Sequence, residues 1–384
     1  NDLNDGILVE SGGTGPWKTI PTAWAALAPG NVLFYMDIVS LEAVLDMKFV
    51  GSNAATEFNK IIHTRHPDVT LTNAGINFNN FSITRFDQKH WWQFENITYA
   101  DSNMSVGQDI SSTGAAWRRM KINMLRNGDN FSALGFNATA QDFILEDLTV
   151  TGPGYDGGAT INTNTSCLFL TRTDRAVLNR LTLRNAPIPL YCKHANDTLQ
   201  ANVDLTISNI FIDESDRNPC QMNFNWAQCS NWVIGKNNTA NISVSEDNGV
   251  AGGDNTTFDH MTFYNRSLSF NSSAQSIPGA VNDVLTNSVL PVKVSSGIST
   301  VDLNITSDNN AFGDAAAAYN IVGVDKPLAT WKTESSQDAN SIDGVVTFVG
   351  GVNPVVVEDY ALASNSIGFG TGVGADVTLC GSRV

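Results

Sequence analysis

One pattern of apolar and polar positions returns along this chain: an apolar residue, two variable ones, an apolar residue, one variable residue often Thr, and a third apolar residue. It reads Phe94-Glu-Asn-Ile-Thr-Tyr99, Trp117-Arg-Arg-Met-Lys-Ile122, Leu145-Glu-Asp-Leu-Thr-Val150, Leu178-Asn-Arg-Leu-Thr-Leu183, Ile207-Ser-Asn-Ile-Phe-Ile212 and Phe258-Asp-His-Met-Thr-Phe263. The fourth-place residues Ile97, Met120, Leu148, Leu181 and Ile210 are separated by 23, 28, 33 and 29 residues. Helical repeats keep a fixed length, whereas a solenoid of strands tolerates loops of different size between identical core strands. The pattern therefore predicts a parallel β-helix in which these five residues form one interior file.

After each of the first five phrases a polar turn leads to a second short apolar stretch: Met104-Ser-Val106, Leu134-Gly-Phe136, Ala159-Thr-Ile161, Leu190-Tyr-Cys192 and Met222-Asn-Phe224. Period-two patterning of this kind predicts short strands on successive faces of each coil. A sandwich of hairpins would require tight Asn-Gly or Asp-Gly turns, and the repeated region offers only Asn127-Gly128 and Asp156-Gly157, which serve equally as coil corners. With coils stacked at about 4.8 Å, Arg119, Asp147 and Arg180 fall in one outward column flanked by Asn96 and Asn209. Arg118 lies over Glu146, and Arg184 over Asp213. These charges read as alternating-sign ladders rather than as chemistry. Cys192, with Cys167 and Cys220, falls in or near the second strand of neighbouring coils, an inward stack of small apolar groups.

Both ends of the chain read as caps. Near the start, Ile20, Ala23, Trp24 and Leu27 share one helical face, and Pro29-Gly30 stops the segment before an apolar strand. An open solenoid requires such a cover over its first coil. The phrases Pro16-Trp17-Lys18-Thr19-Ile20 and Pro29-Gly30, and then Lys89-His90-Trp91-Trp92-Gln93-Phe94, resemble the secreted right-handed parallel β-helix proteins of the pectate-lyase-like superfamily. So do Asp308-Asn309-Asn310-Ala311-Phe312, Leu328-Ala329-Thr330-Trp331-Lys332, Gln337-Asp338-Ala339-Asn340-Ser341-Ile342 and Asp359-Tyr360-Ala361-Leu362 near the far end. The resemblance spans nearly the whole chain. It implies an all-β, single-stranded right-handed parallel β-helix with a short N-terminal capping helix: cap and first coil over 1–50, central coils over 51–312, and a final coil and closing segment over 313–384.

Composition narrows the function. The 384 residues carry 22 Lys and Arg against 38 Asp and Glu, a formal net charge of −16. Such a balance excludes a nucleic-acid binder, whose affinity comes from basic contacts to phosphate. No apolar run reaches the ~20 residues that a membrane span requires. The first residues lack the basic and apolar regions of a signal peptide, so a leader was removed or never present. Thirteen Asn-x-Ser/Thr triplets lean toward a secreted or cell-surface glycoprotein, and an Asn- and Thr-rich chain also produces such triplets by chance. The five cysteines show no CxxC spacing, hence no zinc signal. A Cys220–Cys229 bridge and a set of free thiols both fit. Self-association of coils from different chains stays open.

Many members of the resembled superfamily bind or cleave acidic polysaccharides along a flat face, so the resemblance implies an acidic polysaccharide as partner. A lyase acting on a uronic-acid chain needs a cation beside the carboxylate and a base to remove the C5 proton. Once the ladder arginines are set aside, Tyr191-Cys192-Lys193-His194 is the best cluster: alternation turns Leu190 and Cys192 inward and Tyr191 and Lys193 outward. Lys193 is the expected base, with Tyr191 beside it. Arg172, Arg175, His194, Arg217, Asn223 and Asn225 are the expected substrate contacts. A glycoside hydrolase, the second enzymatic choice, needs two carboxylates about 5 to 9.5 Å apart, and Asp213, Glu214 and Asp216 form the densest acidic turn. The same turn could hold Ca²⁺ through oxygen ligands, although no EF-hand spacing is present. A non-catalytic surface, fibre or adhesion β-helix is the alternative from another class.

Overall fold

The computed structural model describes residues 23–24, 26–40, 58–77, 91–102, 113–124, 132–136, 140–154, 165–193, 202–215, 220–222, 224–236, 242–246, 255–265, 267–272, 281–296, 304–314 and 316–384. The opening phrase at 16–20, Lys89 and His90, the stretches 104–106 and 159–161, both Gly turns, and Asp216, Arg217, His194 and Asn223 lie outside them. The described strands form a parallel β-helix, with one sheet of 17 strands, a second of nine and a third of two. Pairing is parallel from coil to coil, and the hairpin Tyr319–Ile321 with Val324–Lys326 is antiparallel. Among the described residues no helix is long and apolar enough to cross a membrane.

The interior file exists. Met120 pairs with Leu148, Leu148 with Leu181, and Leu181 with Ile210, and Ile97 precedes the Thr98 that pairs with Lys121. All five side chains are buried. The file continues through Trp232 and Met261, which exposes a coil that the phrase search passes over: Cys229-Ser-Asn-Trp-Val-Ile234, with Cys and Trp in the apolar places.

A straight strand would put the first and fourth places of the phrase on opposite faces, because side chains alternate. Both are inside here because the third-place residue takes a left-handed conformation and bends the strand: Asn96, Arg119, Asp147, Arg180, Asn209, Asn231 and His260 all have φ between 50° and 59°. The pairing register skips this residue in coil after coil. Left-handed backbone is unfavourable for residues with a Cβ and least so for Asn and Asp. Stacking compensates it. Asn209 Nδ2 donates to Asn179 Oδ1 at 2.8 Å and Asn231 Nδ2 to Asn209 Oδ1 at 2.7 Å. Arg119 Nε donates to Asn96 Oδ1 at 2.8 Å, and Arg180 Nε to Asp147 Oδ1 at 2.7 Å. The outward column expected from the sequence is thus a column of bends, and the Arg118–Glu146 pair is present at 3.6 Å.

Two expectations need correction, and one open alternative is decided. Arg184 is in register with Asp213, but its ion pair is with the next residue, Glu214, at 2.8 Å. Asp213 is buried under the strap, where Tyr360 donates to it, and the strand bends once more at Glu214, φ 53°. The second-face strand between Ser132–Phe136 and Leu190–Lys193 is Ser166–Thr171 rather than 159–161, since Leu168 pairs with both Leu134 and Leu190. Cys229 is a buried free thiol, as are Cys167, Cys192 and Cys380, so the Cys220–Cys229 bridge is absent. Cys229 lies in the first sheet and Cys220 in the second.

The capping positions fill as the apolar spacing requires. Ala23, Trp24 and Leu27 are buried, and Trp24 Nε1 donates to the Tyr35 hydroxyl at 3.0 Å. At the other end the interior file turns polar. Met261 N–H donates to Ser288 Oγ, Ser288 N–H to Asn310 Oδ1, and Asn310 N–H to Ser341 Oγ, at 3.1, 2.9 and 2.8 Å. Asp338 closes this buried ladder by accepting from Tyr319, Trp331 and Ser307, so each polar group named here has a partner.

Candidate functional site

Beyond the helix Leu328–Ser335 the chain turns back along the rod as a strap over the first sheet. Gly374 N–H donates to the Asn287 carbonyl, Ala375 N–H to Thr262 Oγ1, Gly381 N–H to the Asn209 carbonyl and Ser382 N–H to Thr182 Oγ1, at 2.7 to 2.9 Å. Thr149 Oγ1 donates to the Val384 carbonyl at 3.1 Å. The recurrent fifth-place Thr is therefore the receptor of the strap. Where that place is apolar the strap buries it: Phe211 and Val233 pack with Tyr360 and Cys380, and Val289 and Ala311 with Phe348.

Between the strap and the column of bends lies a groove of about 550 Å³. Asn209, Ser230, Asn231 and His260 line its sheet side, and Phe369 and Asp376 its strap side. The strap passes this point as Gly368, Gly370, Gly372 and Gly374, all at φ between 74° and 83°. At Gly374 a Cβ would lie 2.9 Å from Thr262 Oγ1 and from Val289 Cγ2, so the wall approaches the sheet only as glycine.

His260 is the titratable side chain that gives this groove a chemistry. Its Nδ1 meets Asp259 Oδ2 at 2.7 Å, while Asp259 Oδ1 accepts from Thr286 Oγ1 at 2.9 Å and Asn287 Nδ2 at 2.8 Å. Partial burial works to raise the Asp259 pKa, but the hydrogen bonds from Asn287, His260 and Thr286 outweigh it and hold the group below the ordinary carboxylate range. An ionised carboxylate only accepts, so Nδ1 carries a proton, and in the neutral ring Nε2 is the nitrogen with the lone pair. The ring is 42% exposed and lines the groove. An imidazole oriented by a carboxylate, with its other nitrogen available, is the arrangement of a general base.

Tyr360 also lines the groove, but its hydroxyl donates to Asp213 Oδ1 at 2.8 Å. Burial, followed by the neighbouring Asp213 carboxyl, pushes the phenol far above its ordinary value, which removes it as a base. Asp213 itself is raised by burial, only partly offset by the bonds from Tyr360 and the Lys236 N–H. The acidic turn is thus divided: Asp213 faces the strap, Glu214 faces Arg184, and Asp216 is outside the described residues. No group of three metal-capable side chains occurs among the described residues.

The residues singled out in the sequence lie elsewhere. Lys193 is described by its main chain, which pairs with Thr171 in the second sheet. Tyr191 occupies the outward place beside Phe169, ring centroids 5.3 Å apart, and is 7% exposed. Arg172 follows Thr171 in a left-handed bend, one rung from the Lys193 main chain. Arg175 is bonded to Asp142 at 2.8 Å, to Gln141 at 3.1 Å and to Asp174. Asn225 lies in the short strand Phe224–Asn225, opposite Val203. The structure brings Arg172, Tyr191 and the Lys193 main chain onto neighbouring rungs, and none of them lines the groove. Sequence reasoning missed Asp259 and His260 although both stand in a repeated phrase. Their signal was an imidazole in a third place otherwise held by Asn, Arg or Asp, with an acid directly before it.

No protein-family model matches the chain, and no curated protein sequence does. Among solved structures, the A-module of the Azotobacter vinelandii mannuronan C-5 epimerase AlgE4 aligns over 82% of this chain and 87% of that one, at 8% identity and a TM-score of 0.31. At that score the likeness adds no argument about fold or chemistry, which rest on the strands and side chains above.

Proposed function

We propose that this β-helix binds an acidic, uronic-acid polysaccharide in the groove under the strap and cleaves it by β-elimination, with His260 as the base. The observation that carries the reading is the Asp259–His260 pair opening on a 550 Å³ groove with amide and hydroxyl groups on its sheet side and a mainly apolar strap side that includes Phe369. Sugar sites pair such polar groups with an apolar surface for the ring, and half-exposed Phe369 supplies that surface here. In the reaction His260 Nε2 takes the C5 proton, the freed electron pair forms the C4–C5 double bond, and the glycosidic oxygen leaves from C4 and is protonated. Asp259 stabilises the imidazolium. Lys193, with Tyr191, is the rival base, on the second sheet. Fold resemblance alone is an associational warrant, so the assignment rests on side chains.

The test offers pectate, alginate and glycosaminoglycans to the purified protein and follows the ultraviolet absorbance of an unsaturated product. His260→Ala should lower the rate by about 10²- to 10⁴-fold, with Lys193→Ala near wild type. Loss in Lys193→Ala alone moves the site to the second sheet.

A second reading is a non-catalytic surface scaffold. It is favoured by the ion-pair ladders, in which Arg118, Arg119, Arg180, Arg184 and Lys293 are all held by carboxylates, leaving few cations for an acidic polymer. Absence of new absorbance on every substrate would establish that reading over elimination.

A further inference from the structure

A second column of left-handed residues stands at the other edge of the first sheet, two residues before each paired strand: Gly114, Asp142, Arg175, Asp204, Trp226 and Asn255, with φ from 49° to 71°. The register of Val177, Thr206, Gln228 and Thr257 places Arg175, Asp204, Trp226 and Asn255 on successive rungs. Glycine, Asp and Asn suit such backbone, and Arg175 is fixed by its bonds to Asp142. Two tryptophans are exceptions: Trp91, at φ 62° and half-buried with Lys60 Nζ over its ring, and the more open Trp226. Trp226 has a bulky side chain at φ 60° and is 57% exposed, whereas Trp24, Trp92, Trp117, Trp232 and Trp331 are fully buried. Phe34, Phe58 and Phe369 are also exposed, but none of them has left-handed backbone, and a strained, solvent-facing indole calls for a function.

Its position supplies one. Between Trp226 and the bend at Asn231 the strand turns Gln228 and Ser230 outward, in register with Thr257 and Asp259 on one side and Thr206 and Ser208 on the other. This is a strip of hydroxyl and amide groups, with the Asp259 carboxylate at its far end, leading to the groove, whose wall includes Ser230. Five residues of strand separate Trp226 from Asn231, at most about 16 Å at ~3.3 Å per residue, and His260 lies one rung farther on. An oligosaccharide spans that distance and a single sugar does not.

We propose that Trp226 is a distal sugar-binding subsite: the apolar face of one pyranose ring stacks on its indole while the chain crosses the polar strip and presents its reacting sugar to His260. The subsite rests on the reading of the groove given above and adds to it the direction of the substrate, along the strand of one coil rather than along the rod.

Calorimetric titration with oligogalacturonates and oligomannuronates of graded length tests it on the full chain, using wild type, Trp226→Ala and Trp226→Phe matched for melting temperature. Trp226→Ala should bind long oligomers about tenfold more weakly and dimers as wild type does, and Trp226→Phe should recover most of the loss. Equal affinity of wild type and Trp226→Ala at every length overturns the subsite and leaves the groove reading standing. An equal loss for dimers and long oligomers also overturns it, since that marks a structural role. Failure of the wild type to bind any of these oligomers overturns the groove reading and the subsite with it.

Discussion

Acidification from pH 7 to pH 4 is expected to weaken the N-terminal coils through one side chain, His63. The ring is fully buried, stacked on Phe94 at 4.4 Å and Trp92 at 5.1 Å between centroids, and met edge-on by Trp24 at 5.4 Å. Its Nδ1 shares a 3.0 Å hydrogen bond with the Tyr35 hydroxyl, which itself accepts from Trp24. Burial lowers the His63 pKa from 6.5 to about 3. The native pKa lies below the unfolded one, so the unfolded chain takes up the proton first. The stability of the neutral ring is therefore fully present above about pH 6.5 and is lost as pH falls toward 3. Each unit corresponds to about 1.4 kcal/mol, so by pH 4 the loss is on the order of 3 kcal/mol, a large share of the ~5–15 kcal/mol by which proteins are stable. Urea midpoints followed by tryptophan fluorescence at several pH values would measure it against His63→Gln, whose amide offers both a donor and an acceptor to Tyr35 and does not titrate. Carboxylates titrate in both proteins, and the difference between the two curves isolates His63. Parallel curves between pH 7 and pH 4 would refute the reasoning.

Three further outcomes are expected. Arg180→Ala leaves the nearly buried Asp147 carboxylate without the bonds it accepts at 2.7 and 2.8 Å, so thermal denaturation should show a loss of about 3 kcal/mol; a loss below ~1 kcal/mol would class the pair with ordinary surface bridges. Tyr360→Phe removes the hydroxyl from Asp213 and leaves that carboxyl to main-chain donors, the Lys236 N–H at 2.8 Å and the Glu214 N–H. It should cost about 1–3 kcal/mol, more at pH 8 than at pH 4 because the lost bond favoured the charged form, and equal losses at both pH values would contradict that account. Gly75→Ala puts a Cβ 1.9 Å from the Thr98 carbonyl oxygen, so soluble folded protein should not be recovered; a variant melting as wild type does would show that Gly75–Asn77 and Thr98–Ser102 are paired differently.

The part of this architecture written in local patterning was readable in advance. Ile97, Met120, Leu148, Leu181 and Ile210 announce one file because burial selects apolar residues at a fixed place in each coil. The charges over that file announce their stacking because opposite signs alternate at one place. The left-handed bends were not readable, since Arg119 and Arg180 are poor intrinsic candidates for such backbone and are held in it by Asn96 and Asp147 of the neighbouring coil. The strap was hidden for another reason. Gly368 to Gly374 has no strand or helix period, and Thr262, Asn209 and Thr182, which receive Ala375, Gly381 and Ser382 farther along the strap, lie more than a hundred residues away. Asp213 was misjudged through the same gap, because the register that places it beside Arg184 says nothing of the bend at Glu214 or of Tyr360 arriving from the far end. His260 became visible as a functional group only once the strap was seen to build a wall opposite it.

The most direct test of the groove is a titration of the full chain with oligogalacturonate or oligomannuronate, followed by NMR of its five histidine imidazoles. The His260 resonances should shift in proportion to saturation while those of buried His63 stay fixed. A shift confined to His194 would place the sugar beside Lys193 on the second sheet, and no imidazole shift at saturation would contradict a site at His260 altogether.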